Sequence, residues 1–217
     1  MRALSLYRDQ SPGVRMHTRL RAWSAPLDAV VAAFPLTGRM LDIGCGHGLV
    51  ANEIAQRSSD ARVLGIDLSE TKIASARATA GTRSNVEFRH VALEDVSETG
   101  FDAVGLIDVL YLVPEPSWTP FLKTCFHKLA PGGVFVLKEI GTEPRWKFER
   151  LKLQEFMSTR VLRITKGDTM HFESGERLKQ RLTEVGFEKV EIRRLDAGFT
   201  SPHLLLTAKR PGAPDTR

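Results

Sequence analysis

Leu41-Asp42-Ile43-Gly44-Cys45-Gly46-His47-Gly48-Leu49-Val50 is the stretch from which the architecture of this chain can be read. Met40, Leu41 and Ile43 form the short apolar run that ends a buried parallel strand, and Ala51-Asn52-Glu53-Ile54-Ala55 reads as helix. Three glycines at alternate positions lie between them. Glycine lets the main chain turn with positive φ and lets a ligand lie directly against it. The helix that follows points its first amides at whatever binds. A strand, a glycine turn and a helix in this order hold a nucleotide-like ligand at the carboxyl end of a sheet.

Spacing narrows the ligand. A dinucleotide fingerprint needs G-x-G-x-x-G, but Leu49 follows Gly48, so the third glycine comes one residue early. A phosphate-binding loop needs Gly-Lys-Ser/Thr, which is not there. Asp42 precedes the turn, and Gly65-Ile66-Asp67-Leu68-Ser69 closes the next strand with an acid placed to accept both hydroxyls of a ribose. The pattern D-x-G-x-G-x-G with a strand-end acid resembles the first motifs of class I S-adenosylmethionine-dependent methyltransferases. The resemblance covers most of residues 38–208.

Outward from this unit the chain repeats it. Strands are expected at Arg39–Ile43, Arg62–Ile66, Val86–His90, Phe101–Ile107 and Val134–Ile140, with helices at Leu49–Arg57, Glu70–Ala80 and Ser117–Leu129. Short apolar strands alternating with helices imply a parallel sheet covered on both faces. After the helix Ser174–Val185, the strands Gly186–Ile192 and His203–Ala208 have no helix between them, which gives an antiparallel hairpin at the sheet edge. The fold class is therefore α/β: a Rossmann-like doubly wound sheet, mostly parallel with an antiparallel edge strand, in three α/β/α layers. Residues 1–35 are read as an irregular arm and a cap helix interrupted near Pro26. Residues 36–210 form the cofactor-binding domain, with an insertion at about 144–172, and 211–217 form a loose tail.

Composition sets outer limits. The 217 residues suffice for one α/β domain, and 42% apolar and 26% charged residues are ordinary for a globular protein. Residues Met1–Gln10 contain no sustained apolar segment, and the two cysteines, Cys45 and Cys125, form neither a disulfide framework nor a zinc site. A cytoplasmic, reducing compartment is expected. The formal charge of +5 admits an anionic partner such as RNA or a lipid surface, or simply a solvated basic surface.

The resemblance implies S-adenosylmethionine as cofactor and assigns its contacts. Backbone at Gly44, Cys45 and Gly46 approaches the methionyl and ribose portion, and Asp42 answers the α-amino group through a water. Asp67 takes the ribose hydroxyls and Leu68 packs on the adenine. Leu93 and Glu94 supply the amide and acid of the adenine clamp, although Ala92 stands where the family often has an acid. Ile107 and Asp108, at the end of the fourth strand, face the methionyl ammonium. Asp108-Val109-Leu110-Tyr111 departs from the Asn/Asp-Pro-Pro-aromatic sequence that grips a flipped base and resembles small-molecule enzymes. No carboxylate and amide cluster of the magnesium-dependent catechol type is found, so no metal is expected.

The acceptor carries no comparable signature. His171 and Tyr111 are the groups assigned to base chemistry, with His17 also available. The cap helix offers Tyr7, Arg15 and Trp23 to the acceptor. In the insertion, Arg145–Ile164 combines a wide apolar stripe with six basic residues against two acids, which reads as an amphipathic lid with Trp146 and Phe156 as pocket walls. The partner expected is a small, apolar or aromatic acceptor, with membrane or carrier-protein contact through the basic lid and no nucleic acid. The sequence leaves oligomeric state open. The rival readings are an RNA methyltransferase and a cofactor-binding module without turnover.

Overall fold

The computed structural model describes residues 1–150 and 171–212. Helices α1 (Pro12–Ser24) and α2 (Leu27–Val31) precede a seven-stranded sheet. Its strands are β1 (Gly38–Ile43), β2 (Ala61–Asp67), β3 (Val86–His90), β4 (Phe101–Ile107), β5 (Leu129–Ile140), β6 (Glu188–Arg194) and β7 (His203–Lys209). Between them run α3 (Leu49–Arg57), α4 (Glu70–Ala80), α5 (Trp118–Lys128) and α6 (Gly175–Val185). The strand order is β3-β2-β1-β4-β5-β7-β6, with β7 antiparallel to both neighbours and the other pairs parallel.

Period-two alternation sends successive side chains of each strand to opposite faces. Met40 and Val63 enter the core beneath α2, α3 and α4, whereas Leu41 and Leu64 enter the one beneath α5 and α6. Both faces are thereby buried, which gives the three layers expected of a Rossmann-like sheet. The order reverses at β1, which pairs with β2 on one side and β4 on the other. Ligands of open α/β sheets bind outside the carboxyl ends of the strands at such a reversal. The glycine turn leaves β1 at this point.

Two parts of the chain depart from the sequence reading. The arm at residues 1–11 is not irregular. Arg2–Tyr7 is a 3-10 helix that buries Ala3 and Tyr7. The Ala3 amide donates to Glu53 Oε2 at 2.8 Å, and Ser75 Oγ donates to Gln10 Oε1 at 3.0 Å. The arm packs on α3 and α4 through buried Ala3 and Tyr7 and partly buried Met1, Leu4 and Leu6. The fifth strand starts earlier than expected, because Leu129 pairs with Phe101 before an irregularity that resumes at Val134 opposite Ala103. The glycines at 132 and 133 lie within that irregularity.

Of the insertion, residues 145–150 are helical. Phe156 and the rest of the expected lid at 151–170 lie outside the described residues.

Candidate active site

The turn after β1 is backbone held in place by side chains. Gly46 has φ +57°, and nothing stands within 4 Å of where its Cβ would be, so the main chain presents an open face. Gly48 is also left-handed, and a Cβ there would lie 2.6 Å from the Phe88 ring, so only glycine fits under β3. Asp67, at the end of β2, accepts from the Gly46 amide at 2.9 Å and from the Ser69 amide at 2.8 Å. The strand-end acid therefore shapes the turn as well as standing beside it.

Beneath the turn runs a buried polar network that the sequence reading missed. The Tyr7 hydroxyl donates to the His47 carbonyl at 2.7 Å and accepts from Asn52 Nδ2 at 3.2 Å. Asn52 also donates to Thr79 Oγ1 at 2.8 Å, and Arg83 donates to Asn52 Oδ1 and to the Thr79 carbonyl. Burial pushes the Tyr7 hydroxyl up to about 12, so it is a neutral donor under ordinary conditions. Tyr7 does not reach the cleft that an acceptor would enter. Its hydroxyl is committed to the floor of the turn, which corrects its assignment as an acceptor contact.

A cleft of about 250 Å³ opens between this turn, the end of β4 and the inner face of α1. Asp42, Gly44, Cys45, Gly46, Ile107, Asp108 and Tyr111 line it, joined by His17 and Arg21 from α1. Asp42 is the most informative of these. Burial pushes its carboxyl up to about 7, against the relief given by the Ala51 amide. Its Oδ2 is buried with no hydrogen-bond partner. A buried acid with an open acceptor position beside a glycine cradle fits a ligand that brings a cation, as the methionyl ammonium does.

Asp108 is the opposite case. It sits in the left-handed region at φ +56°, which a non-glycine residue occupies only when its surroundings hold it there. Lys138, fully buried in β5, donates to Asp108 Oδ1 at 2.5 Å and Oδ2 at 2.7 Å, and Arg21 pairs with the same carboxylate. Burial opposes ionisation, but these two cations hold the Asp108 carboxyl below its ordinary range. Asp108 therefore faces protein cations, not an open ammonium site. Next to it, Glu139 accepts from the Val109 and Leu110 amides at 3.2 and 2.9 Å and fixes the loop after β4. Burial, reinforced by Asp108, raises the Glu139 carboxyl to about 8. The signal for this cluster was the pair Lys138-Glu139 inside an otherwise apolar strand.

The remaining predicted residues divide into groups. Leu68 and Glu94 are exposed and Leu93 is buried, all at the carboxyl ends of β2 and β3 outside the enclosed cleft. Arg15 and Trp23 lie on the outer face of α1, away from the cleft, because helical spacing puts His17 and Arg21 on its inner face. Neither of the two residues assigned to the acceptor lines the cleft. The His171 amide donates to the Tyr111 carbonyl at 3.3 Å, so the two residues assigned to base chemistry adjoin. The Tyr111 ring stacks on Phe172, and Phe148 meets Phe172 edge to face, with centroid separations of 5.8 and 5.5 Å. Trp146 is exposed beside Lys147. His17 meets His47 edge to face at 5.3 Å, and burial lowers the pKa of both imidazoles.

Similarity to known proteins agrees with this geometry. A family model described as a methyltransferase domain matches residues 15–192. Over 111 residues the chain is 40% identical to a ubiquinone biosynthesis O-methyltransferase of Sinorhizobium fredii, covering 49% of this chain and 43% of that protein. The protein of the same name from Psychrobacter arcticus is 30% identical over 173 residues, covering 77% and 61%. The chain thus spans about half of the length of these relatives. An O-methyltransferase family protein from Burkholderia thailandensis superposes with a TM-score of 0.72 at 18% identity, over 97% of this chain and 63% of that one. The glycine turn, the unpartnered buried acid beside it and the family model lead to one conclusion: this chain belongs to the class I methyltransferases, enzymes of Rossmann-like fold that use S-adenosylmethionine as methyl donor.

Proposed function

We propose that this enzyme methylates an oxygen of a small, apolar or aromatic acceptor. The observation that carries the reading is the convergence of His17 and Tyr111, from two separate elements, on the cleft floored by the glycine turn. The aromatic cluster of Tyr111, Phe172 and Phe148 supports an acceptor of that character. The names of the O-methyltransferase relatives point the same way.

When bound, S-adenosylmethionine supplies a methyl already activated on a sulfonium. What remains for the protein is alignment and the exclusion of water. In this reading Asp42 receives the methionyl ammonium, Asp67 the ribose hydroxyls, and the backbone of Gly44–Gly46 the portion between. Leu68, Leu93 and Glu94 border the adenine, and the Ile107 carbonyl faces the end of the methionyl chain. Tyr111 flanks the acceptor oxygen. His171 or His17 takes its proton, and His17 suits this because burial and the neighbouring Arg21 favour its neutral imidazole. Trp146 walls the outer end of the acceptor site. Nucleic acid is not the acceptor in this reading.

The test is turnover with a panel of phenols, catechols, aromatic amines and a short RNA, following S-adenosylhomocysteine release and the mass of the product. Methylated phenol or catechol is expected, with loss of the proton acceptor lowering turnover by about 10²–10⁴-fold in His171→Ala or His17→Ala. Preferential methylation of the amine or the RNA would overturn the reading. Tight donor binding without turnover on any acceptor would favour a binding module instead.

A further inference from the structure

Helix α1 has two faces, and only one is explained by the cleft. Its inner face buries Thr18 and directs His17 and Arg21 toward the glycine turn and Asp108. Neutral His203 of β7 holds its end through Nε2, 3.0 Å from the Ser24 carbonyl. The helix is thus fixed in rotation. Its outer face presents Met16, Leu20 and Trp23, which are 71%, 56% and 77% exposed. The spacing of four and then three residues makes them one continuous stripe. Burying such side chains is worth ~1.5–3 kcal/mol each, so leaving three of them in water on one helix face requires a cause.

In the function proposed above the cofactor and the acceptor use the cleft on the inner face and do not cover this stripe. Charge narrows the choice of what covers the stripe. Arg15 and Arg19 flank the apolar side chains on the same face, and α1 contains no acidic residue between Pro12 and Ser24. A second copy packed symmetrically on this stripe would set these arginines against their own kind. An anionic surface would pair with them while taking up the apolar side chains. Three further exposed large apolar residues, Leu68, Leu112 and Trp146, follow the carboxyl ends of β2, β4 and β5, the same rim of the sheet that α1 borders. Among the described residues only Leu36, ahead of β1, is exposed in this way elsewhere.

We propose that the outer face of α1 docks on an anionic lipid surface, with Met16, Leu20 and Trp23 inserted at the interface and Arg15 and Arg19 paired with headgroups. Arginine stems lie along apolar surface while their charges remain among the phosphates, and tryptophan favours the interfacial layer. Docking in this orientation brings the rim of the cleft to the membrane, so an apolar acceptor dissolved there would enter without crossing water.

The experiment uses the full chain and sedimentation with vesicles of phosphatidylcholine alone or mixed with phosphatidylglycerol. Binding is expected only to the anionic vesicles and should weaken with salt. Arg15→Gln with Arg19→Gln should lower the vesicle partition constant about thirtyfold, at ~1 kcal/mol per charge near the surface. Met16→Ser, Leu20→Ser and Trp23→Ser together should abolish binding while S-adenosylmethionine affinity stays unchanged, since the cleft lies on the other face. Tryptophan emission separates α1 from the segment after β5: the blue shift on binding should survive Trp146→Phe and be largely lost in Trp23→Phe. No binding, equal binding to neutral vesicles, or a shift that depends on Trp146 alone would overturn the proposal. So would a dimer in solution that the triple variant dissolves, because a second copy would then be the occupant.

Discussion

The floor and the wall of the cleft are built in different ways. The floor is main chain: a glycine turn shaped by Asp67 from one side and propped by Tyr7 and Asn52 from beneath. The wall is side chain: Arg21, Asp108 and Tyr111, with Lys138 buried behind Asp108, brought together from α1, the loop after β4 and β5. A floor of backbone recognises a ligand common to many enzymes. A wall of side chains can be changed residue by residue to suit one acceptor. Mutations should therefore act differently in the two regions, those in the wall on folding and acceptor choice and those in the floor on donor affinity.

The largest effect is expected from the wall. Lys138→Ala leaves Asp108 buried at a strained φ with only Arg21 to balance it. Breaking a buried pair on one side costs about 3–5 kcal/mol, and urea or thermal unfolding would measure it. Lys138→Met with Asp108→Asn should recover part of the loss. If Lys138→Ala alone is neutral, the cluster does not hold the wall together.

On the floor, Asp67→Ala removes the proposed acceptor for the ribose hydroxyls and releases the Gly46 amide. Donor affinity should fall by about 1.5–3 kcal/mol in calorimetry, while the melting temperature changes little. A folded variant with full affinity would contradict the role of this acid. The smallest effect is that of Tyr7→Phe. It removes the donor to the His47 carbonyl and the acceptor of Asn52 Nδ2, a change of about 1 kcal/mol. KM for the donor should rise with kcat retained. A fall in kcat alone would put Tyr7 back on the acceptor side.

The same contrast explains what could be read without coordinates. The floor was legible because its requirement falls on neighbouring residues: glycine is favoured at the positive φ of Gly46 and required under the Phe88 ring at Gly48, and the acid must sit at the end of the next strand. The sheet was legible for a similar reason, since alternating apolar strands and helices at Met40–Ile43, Arg62–Ile66 and Phe101–Ile107 leave few topologies. Tyr7 was misread because an arm of eleven residues carries no periodicity that shows it folding under α3. The outward placement of Arg15 and Trp23 was not legible because a helix with apolar and basic residues all round does not reveal which side faces the sheet. The Arg21–Asp108–Lys138 cluster joins residues 87 and 30 positions apart (108 − 21 and 138 − 108), and only the buried charge pair in β5 pointed toward it.

Asp42 offers the most direct test of the account. Its folded carboxyl titrates at about 7, so below that pH the free protein carries a proton there that must leave before an ammonium can bind. Calorimetry of S-adenosylmethionine binding as a function of pH should show affinity falling about tenfold per pH unit below pH 7, with a proton released on binding. In Asp42→Asn affinity should be lower and this dependence absent. Binding that is strong and insensitive to pH in both proteins, or no binding of S-adenosylmethionine at all, would contradict the assignment of this cleft to the methyl donor.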